Sequence, residues 1–134
     1  MGAKPIVDAC HHVAIVVRDA AEARAFYGDV LGLERLPRPA ELEEKFPGAW
    51  FRLGSAELHL FEARDPQDLP RAGSAIGPHF ALHTSDFDGT VAALRERGCD
   101  FAFGPGRDSE GTARVIVRDP SGNIVEITDA ALGS

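Results

Sequence analysis

The 134-residue sequence predicts an α+β fold in which two βαβββ modules pair into a mixed sheet with helices on its outer face. A β-branched strand with a histidine near its start, then an acidic residue and a helical stretch, occurs twice, at His12 and at His79. The same order of elements follows each copy. Because one module cannot bury both faces of its sheet, the two copies are expected to pack together.

The first module is expected at about residues 8–63. Residues 9–17 alternate around a β-branched run, and Asp19 is expected to cap a helix that ends at Gly32. Three more strands are predicted at 33–36, 49–53 and 57–62. Between them, the polar residues 37–48 are predicted to form a loop, either a lid or an ordinary excursion.

The second module is expected at about residues 78–130, after a linker at 64–77 that is rich in proline, glycine and charge. A helix is predicted at 86–97, followed by a loop at 104–112. The predicted strands are 79–84, 99–103, 114–118 and 123–128. Residues 119–122 have the composition of a tight turn. The whole chain is therefore expected to be one domain.

Composition excludes several classes of protein. A hydrophobic content of 44% and a charged content of 26% are globular values, and the net charge of −7 disfavours nucleic acid and anionic membranes as partners. No apolar run is long enough to cross a bilayer, and the N-terminus has no apolar signal segment. We therefore expect a cytoplasmic protein in which Cys10 and Cys99 are reduced, buried thiols.

Four side chains of metal-binding type occupy equivalent positions in the two modules. His12 and His79 are 67 residues apart, and His59 and Glu126 have the same separation. Strand alternation places all four on the face opposite the apolar one. Three imidazoles and one carboxylate suit a divalent ion such as zinc, nickel, cobalt, iron or manganese. The alternative is four unrelated polar residues, which is disfavoured because a buried unpaired imidazole or carboxylate is costly.

Other side chains on this face are candidates for binding a small-molecule substrate. The candidates are Arg52, Trp50, Phe61, His83, Arg114 and Arg118. An arginine here would hold a substrate carboxylate or, alternatively, pair with a neighbouring acid. The aromatic rings would supply apolar walls, and His83 would line the cavity or support the metal ligands from behind.

Two longer motifs add to this pattern. Phe26-Tyr27 precedes Val30-Leu31-Gly32-Leu33 after the first helix, and Asp119-Pro120-Ser121-Gly122-Asn123 precedes Glu126. With the segments HHVAIVVRDAAEARAFYGDVLGLE, FPGAWFRLGSAELHLFE, PHFALHTSD and VIVRDPSGNIVEITD, the chain resembles the vicinal oxygen chelate superfamily. That superfamily includes glyoxalase I, bleomycin resistance proteins and extradiol dioxygenases.

The resemblance implies paired modules forming a cupped sheet around a metal held by His12, His59, His79 and Glu126. Glyoxalase I enzymes usually carry glutamate at the position of His59, so the sequence departs from them there. Extradiol dioxygenases usually use two histidines and one glutamate, matching His12, His79 and Glu126. Bleomycin-binding members lack all four ligands, whereas this chain has them all.

The favoured function is a divalent-metal-dependent lyase or isomerase of glyoxalase type. A substrate would chelate the metal through two adjacent oxygens, and Glu126 would shuttle a proton between neighbouring carbons. The alternatives are an extradiol-type dioxygenase, a drug- or metabolite-binding protein of the bleomycin-resistance type, and thiol transfer to an epoxide. A homodimer is expected from the family. The sequence leaves open whether the modules close the site within one chain or between two.

Overall fold

The computed structural model describes residues 6–70 and 76–133, and it confirms the α+β prediction. The strands are β1 His12–Val17, β2 Arg35–Leu36, β3 Gly48–Leu53, β4 Ala56–Glu62, β5 His79–His83, β6 Asp100–Arg107, β7 Ala113–Arg118 and β8 Ile124–Thr128. The helices are α1 Ala20–Arg24, which continues as a π-helical segment at Ala25–Val30, α2 Ala40–Lys45 and α3 Phe87–Glu96. A 3₁₀ turn at Pro66–Asp68 begins the linker, and the linker's residues 71–75 lie outside the described ranges, as do residues 1–5 of the predicted N-terminal segment.

Each module forms a four-stranded mixed sheet, with orders β1-β4-β3-β2 and β5-β8-β7-β6 in the described residues. In both, the first strand runs parallel to the last, and the remaining neighbours are antiparallel. The first strand of each module is therefore an edge strand, and the histidines His12 and His79 stand at the starts of these two edges.

The helix-facing residues of both modules share one hydrophobic core. Leu58 and Leu60 are fully buried, and Val125 and Ile127 occupy the equivalent positions of β8. The predicted N-cap at Asp19 is confirmed, since its carboxylate accepts a hydrogen bond from the backbone N–H of Glu22. Burial on one face of each sheet leaves the other face for polar side chains.

Two predicted loops were wrong in part, and the strand predicted at 9–17 begins only at His12. Part of residues 37–48, predicted to be a loop, forms α2. The segment lacks an apolar stripe, but it contains good helix formers, with Glu41 and Glu43 in the first turn and Lys45 in the last. Strand β6 extends to Arg107, through part of the predicted loop at 104–112, with two irregularities in its register.

The cysteines and the helices test two smaller predictions. Both thiols are free, as expected, but Cys10 is exposed and Cys99 is half-buried, so the prediction that both are buried was wrong for Cys10. Burial raises the pKa of the Cys99 thiol. Among the described residues, no helix combines the length and apolar character that a membrane span requires.

Candidate metal-binding site

Strand register explains why two residues of the first module come together on one face. His12 on β1 lies opposite Glu57 on β4, and His59 lies opposite Ala14. Side chains of opposed residues lie on the same face of a sheet. His12 and His59 are therefore diagonal neighbours in adjacent rows of the sheet, which brings their rings into contact.

The imidazole of His59 lies between two other rings. Its centroid is 4.1 Å from that of His12, with 10° between the planes, and 4.5 Å from that of Trp50, with 12° between the planes. Trp50 reaches His59 because β3 places it directly opposite. This stack leaves His59 only 6% exposed, so both faces of its ring are covered.

The edge of the His59 ring is also engaged. Its Nε2 lies 2.9 Å from Oε1 of Glu57, two residues earlier on the same strand face. A carboxylate can only accept, so Nε2 carries the proton, and the lone pair of the neutral ring is on Nδ1. This hydrogen bond is the main cause that lowers the pKa of the Glu57 carboxyl. The sequence analysis assigned Glu57 no role.

The second module presents the equivalent diagonal pair. His79 lies opposite Ile124, and Glu126 lies opposite Ala81. Nε2 of His79 is 3.8 Å from Oε1 of Glu126. Two ligand atoms that are each about 2.1 Å from one ion are at most about 4.2 Å apart, so this pair fits a shared metal as it stands.

A hydrogen bond fixes the ring of His79 for such a role. Its Nδ1 donates to the backbone carbonyl oxygen of Gly77 at 2.8 Å. In the neutral ring, Nε2 then keeps the lone pair on the side of Glu126. Metal-binding histidines are commonly oriented in this way by a hydrogen bond from the other ring nitrogen.

The two pairs do not combine within one chain. Across residues 6–70 and 76–133, no group of three or more histidine, cysteine, aspartate or glutamate side chains is placed to hold a metal ion. The types of donor fit a divalent metal, and so does the pair formed by His79 and Glu126. His12 and His59 do not fit as arranged, because lone pairs in two stacked, nearly parallel rings do not converge on one point.

His11 has a contact that alternation did not predict. Strand β1 begins only at His12, so His11 precedes the strand and its side chain need not follow the alternation of strand residues. The Nδ1 atoms of His11 and His12 are 2.9 Å apart, so one ring donates to the other. His11 therefore contacts a predicted metal ligand directly.

The three arginines on this face are paired with acids, as the alternative interpretation held. Arg52 Nε is 3.4 Å from Glu34, and Arg118 Nη1 is 3.9 Å from Asp100. Arg114 Nη1 donates to Asp108 at 3.0 Å, which holds the pKa of that carboxyl below its usual range. The Nε of Arg114 also lies 3.5 Å from Oε2 of Glu126, so this arginine borders the predicted ligands.

The remaining candidates lie at different distances from the pairs. Trp50 stacks on His59, and its indole Nε1 is buried with no hydrogen-bond partner in the described part of the chain. Phe61 is farther along β4. Its ring lies edge to face with the ring of Phe46, just after α2, with 6.2 Å between the two ring centroids. His83 is exposed at the end of β5 and lines a separate cavity of about 270 Å³ between the modules.

Comparison with known proteins identifies the family to which this chain belongs. The sequence profile of the Glyoxalase/Bleomycin resistance protein/Dioxygenase superfamily matches residues 9–127, which include both pairs. The chain belongs to this superfamily. The membership predicted from the two motifs is therefore confirmed, and the paired βαβββ modules are the superfamily's architecture in this chain.

Individual members of the superfamily are similar over most of their length. Glyoxylase I 4 of Arabidopsis thaliana is 31% identical over 123 residues, which cover 87% of this chain and 68% of the relative. The crystal structure of a glyoxalase family protein from Bacillus anthracis matches with a TM-score of 0.76 and 28% identity, covering 94% of this chain and 98% of that one. Lactoylglutathione lyase from Agrobacterium tumefaciens has a TM-score of 0.67 and 28% identity, with coverage of 91% and 93%.

Proposed function

We propose that the protein is a divalent-metal-dependent lyase or isomerase of glyoxalase type. The observation that carries the proposal is the repeated diagonal pair, in which each module presents two metal-binding side chains on the same face of its sheet. Similarity to Glyoxylase I 4 and to a lactoylglutathione lyase supports this reaction class. The favoured substrate class is the thiohemiacetal formed from an α-ketoaldehyde and a thiol.

The proposed metal ligands are His12, His59, His79 and Glu126. The bound ion, one of zinc, nickel, cobalt, iron or manganese, would act as a Lewis acid on two adjacent substrate oxygens. His79 is already oriented for this role by its hydrogen bond to Gly77. His12 and His59 reach it only if their stacked rings change orientation.

Glu126 is the residue we propose to carry the proton. Its side chain is 19% exposed, so it is sheltered but still accessible to solvent. One carboxylate oxygen faces His79 and the other faces Arg114 at 3.5 Å. A carboxylate in this position would take a proton from one substrate carbon and return it to the neighbouring one. Arg114 borders this second oxygen and would position the carboxylate.

We further propose that two copies of the chain complete each site. Each module supplies half of the ligand set, and the described residues of one chain bring no third ligand to either pair. The first strands of both modules are sheet edges, so a second copy can approach alongside them. A homodimer of two-fold symmetry would join the His12 and His59 pair of one chain to the His79 and Glu126 pair of the other. The symmetry would form two such sites in each dimer. A cytoplasmic location is part of the same proposal.

The test is turnover of methylglyoxal plus a thiol by metal-free protein reloaded in turn with each of the five ions. Activity with at least one ion, lost on chelation and restored by that ion, is the expected result. The variant Glu126→Gln should lose at least 100-fold in rate while still folding, because the amide has no basic oxygen. Absence of activity with every ion and several thiols would remove the proposal.

One observation favours a second candidate, an extradiol-type dioxygenase. His59 is occupied by Glu57 and by its two ring neighbours, which leaves His12, His79 and Glu126 as a set of two histidines and one carboxylate. That set suits ferrous iron with open positions for oxygen and substrate. Oxygen uptake by the ferrous protein with a catechol, and no isomerase activity, would establish this function instead.

A further inference from the structure

We propose that the cavity beside α3, between the two modules, binds a small carboxylate that carries a short apolar chain. Arg97 holds the carboxylate, and the apolar walls hold the chain. This site goes beyond the proposed function, because its ligand needs no metal ion. The cavity is also lined by none of the four proposed metal ligands, His12, His59, His79 and Glu126.

The walls of this cavity are apolar and come from both modules. Its volume is about 270 Å³, close to the lower end of the range for small-molecule pockets, about 300 Å³. Two of the apolar side chains are buried, and the others are partly buried against the same core. They are Val30, Leu31, Leu33, Leu82, Leu94 and Ile127. The cavity therefore suits a short apolar chain, which would contact both modules at once.

The two threonines of the wall use their hydroxyl protons within the protein. Oγ1 of Thr90 donates to the backbone carbonyl oxygen of Asp86 at 2.7 Å. A hydroxyl has one proton, so Thr84 is the donor in the 2.8 Å hydrogen bond between the two hydroxyls. Neither hydroxyl has a second proton for a ligand oxygen. The fixed charge and the strongest donors that line the cavity therefore belong to Arg97.

The guanidinium of Arg97 is held in place without being neutralised. Its Nη1 donates to the backbone carbonyl oxygens of Asp29 and Val30, at 3.2 and 2.9 Å. Within residues 6–70 and 76–133, no carboxylate pairs with Arg97, and no acceptor engages its Nε or Nη2. Arg18 uses this same pair of atoms to hold both carboxylate oxygens of Glu22. Arg97 can bind the carboxylate of a ligand in the same bidentate way.

The charge of the cavity is opposite in sign to that of the protein. The chain has a net charge of −7, yet no aspartate or glutamate of the described ranges lines this cavity. Arg97 lines it, and so does His83, which the sequence analysis expected to border a binding cavity. A positive charge beside an apolar recess attracts an anion more strongly than the same charge in open water does. The ligand is therefore an anion.

The first experiment uses wild-type protein with labelled methyl groups and needs no variant. It is titrated with hexanoate, 1-hexanol and hexylamine, which share one unbranched carbon chain and differ in charge. NMR follows the methyl resonances of Leu31, Leu82 and Ile127. We expect hexanoate to shift all three and to bind roughly tenfold more tightly than 1-hexanol, the gain from a charge-assisted hydrogen bond. Equal or tighter binding of 1-hexanol or hexylamine, or no shift of these methyls, would overturn the proposal.

The second experiment removes the charge. In Arg97→Gln, hexanoate should lose its advantage and bind within about twofold of 1-hexanol. The matched control is Arg95→Gln, which removes a positive charge from α3 that lies over the ring of Phe101 and does not line the cavity. Thermal unfolding of each variant establishes that it is folded at the temperature of the titration. A preference for hexanoate that survives Arg97→Gln would refute the role of Arg97.

The third experiment fills the cavity. Ala93 lines it, whereas Ala92, one position earlier on α3, is exposed and does not. Leucine and alanine are both good helix formers, so either alanine can be replaced without breaking the helix. Ala93→Leu should weaken the binding of hexanoate and of 1-hexanol alike, and Ala92→Leu should change neither. Unchanged binding of hexanoate by Ala93→Leu would place the ligand elsewhere and end the proposal.

Discussion

The hydroxyl of Tyr27 donates a 2.8 Å hydrogen bond to Oδ2 of Asp119, joining two residues that are 92 positions apart in the chain. Tyr27 is fully buried and Asp119 is 4% exposed. Asn123 donates to the same carboxylate oxygen and, from the same amide nitrogen, to the backbone carbonyl of Val16. The two sequence motifs that indicated the family thus meet in the fold and fasten one module to the other.

Tyr27→Phe should lower the free energy of unfolding by about 1–3 kcal/mol, because the buried Asp119 carboxylate loses a donor. Urea denaturation monitored by circular dichroism measures the change. The exposed substitution Glu44→Gln serves as a control and should stay within about 0.5 kcal/mol of wild type. An unchanged midpoint for Tyr27→Phe would mean that the contact between the modules contributes nothing.

Alkaline pH should unfold the protein through the same residue. The pKa of Tyr27 is raised far above its usual value near 10. Burial is the largest cause, and the nearby Asp119 carboxylate is the second. The folded state therefore keeps a proton that the unfolded state loses, so stability is unaffected below about pH 10 and falls above it by about 1.4 kcal/mol per pH unit. Because the chain has a single tyrosine, ultraviolet absorbance follows its ionisation directly. Tyrosinate should form only together with unfolding, and ionisation of the folded protein would contradict this.

Chains with complementary defects should restore metal binding when they are mixed. One variant carries His12→Ala and His59→Ala, and the other carries His79→Ala and Glu126→Ala. If two copies complete each site, random exchange gives mixed dimers with one intact set, or roughly one quarter of the wild-type sites. Calorimetry with zinc measures the capacity. Restoration would show shared sites, whereas a mixture as inactive as its components would place each site within one chain.

Gly48→Ala should destabilise the protein by at least about 2 kcal/mol. An added Cβ at the start of β3 would collide with the backbone carbonyl oxygen of Leu60, which is held within the sheet and is unable to move aside. Gly106→Ala on β6 is the matched control, since its Cβ would meet nothing within 4 Å. Thermal unfolding of both variants measures the difference. Equal melting temperatures would show that β3 and β4 separate easily.

The features that the sequence predicted well are those set by local periodicity. Alternation alone assigned Leu58 and Leu60 to the core and His59 to the opposite face, and the structure confirms each of these positions. The spacing of 67 residues identified the equivalent positions because a duplicated module repeats its register. These predictions depend on neighbours along one strand, which the sequence displays directly.

The features that escaped prediction depend on neighbours from other elements. The ring of His59 is held by Trp50, which comes from the adjacent strand, and the choice of Glu57 as its partner depends on side-chain rotamers. Helix α2 lacks apolar periodicity, and Arg38, just before it, is tied to Glu43 and to the carbonyl of Phe46. Such contacts arise only when the chain is folded.

The stacking of Trp50 on His59 has a practical consequence. The chain contains one tryptophan, and its indole lies 4.5 Å from the imidazole that we expect to move when an ion arrives. Indole emission is sensitive to adjacent rings and to local polarity, so the protein has a built-in optical reporter beside the proposed metal ligands His12 and His59. Libraries of ions and small molecules can be screened by fluorescence without attaching a dye.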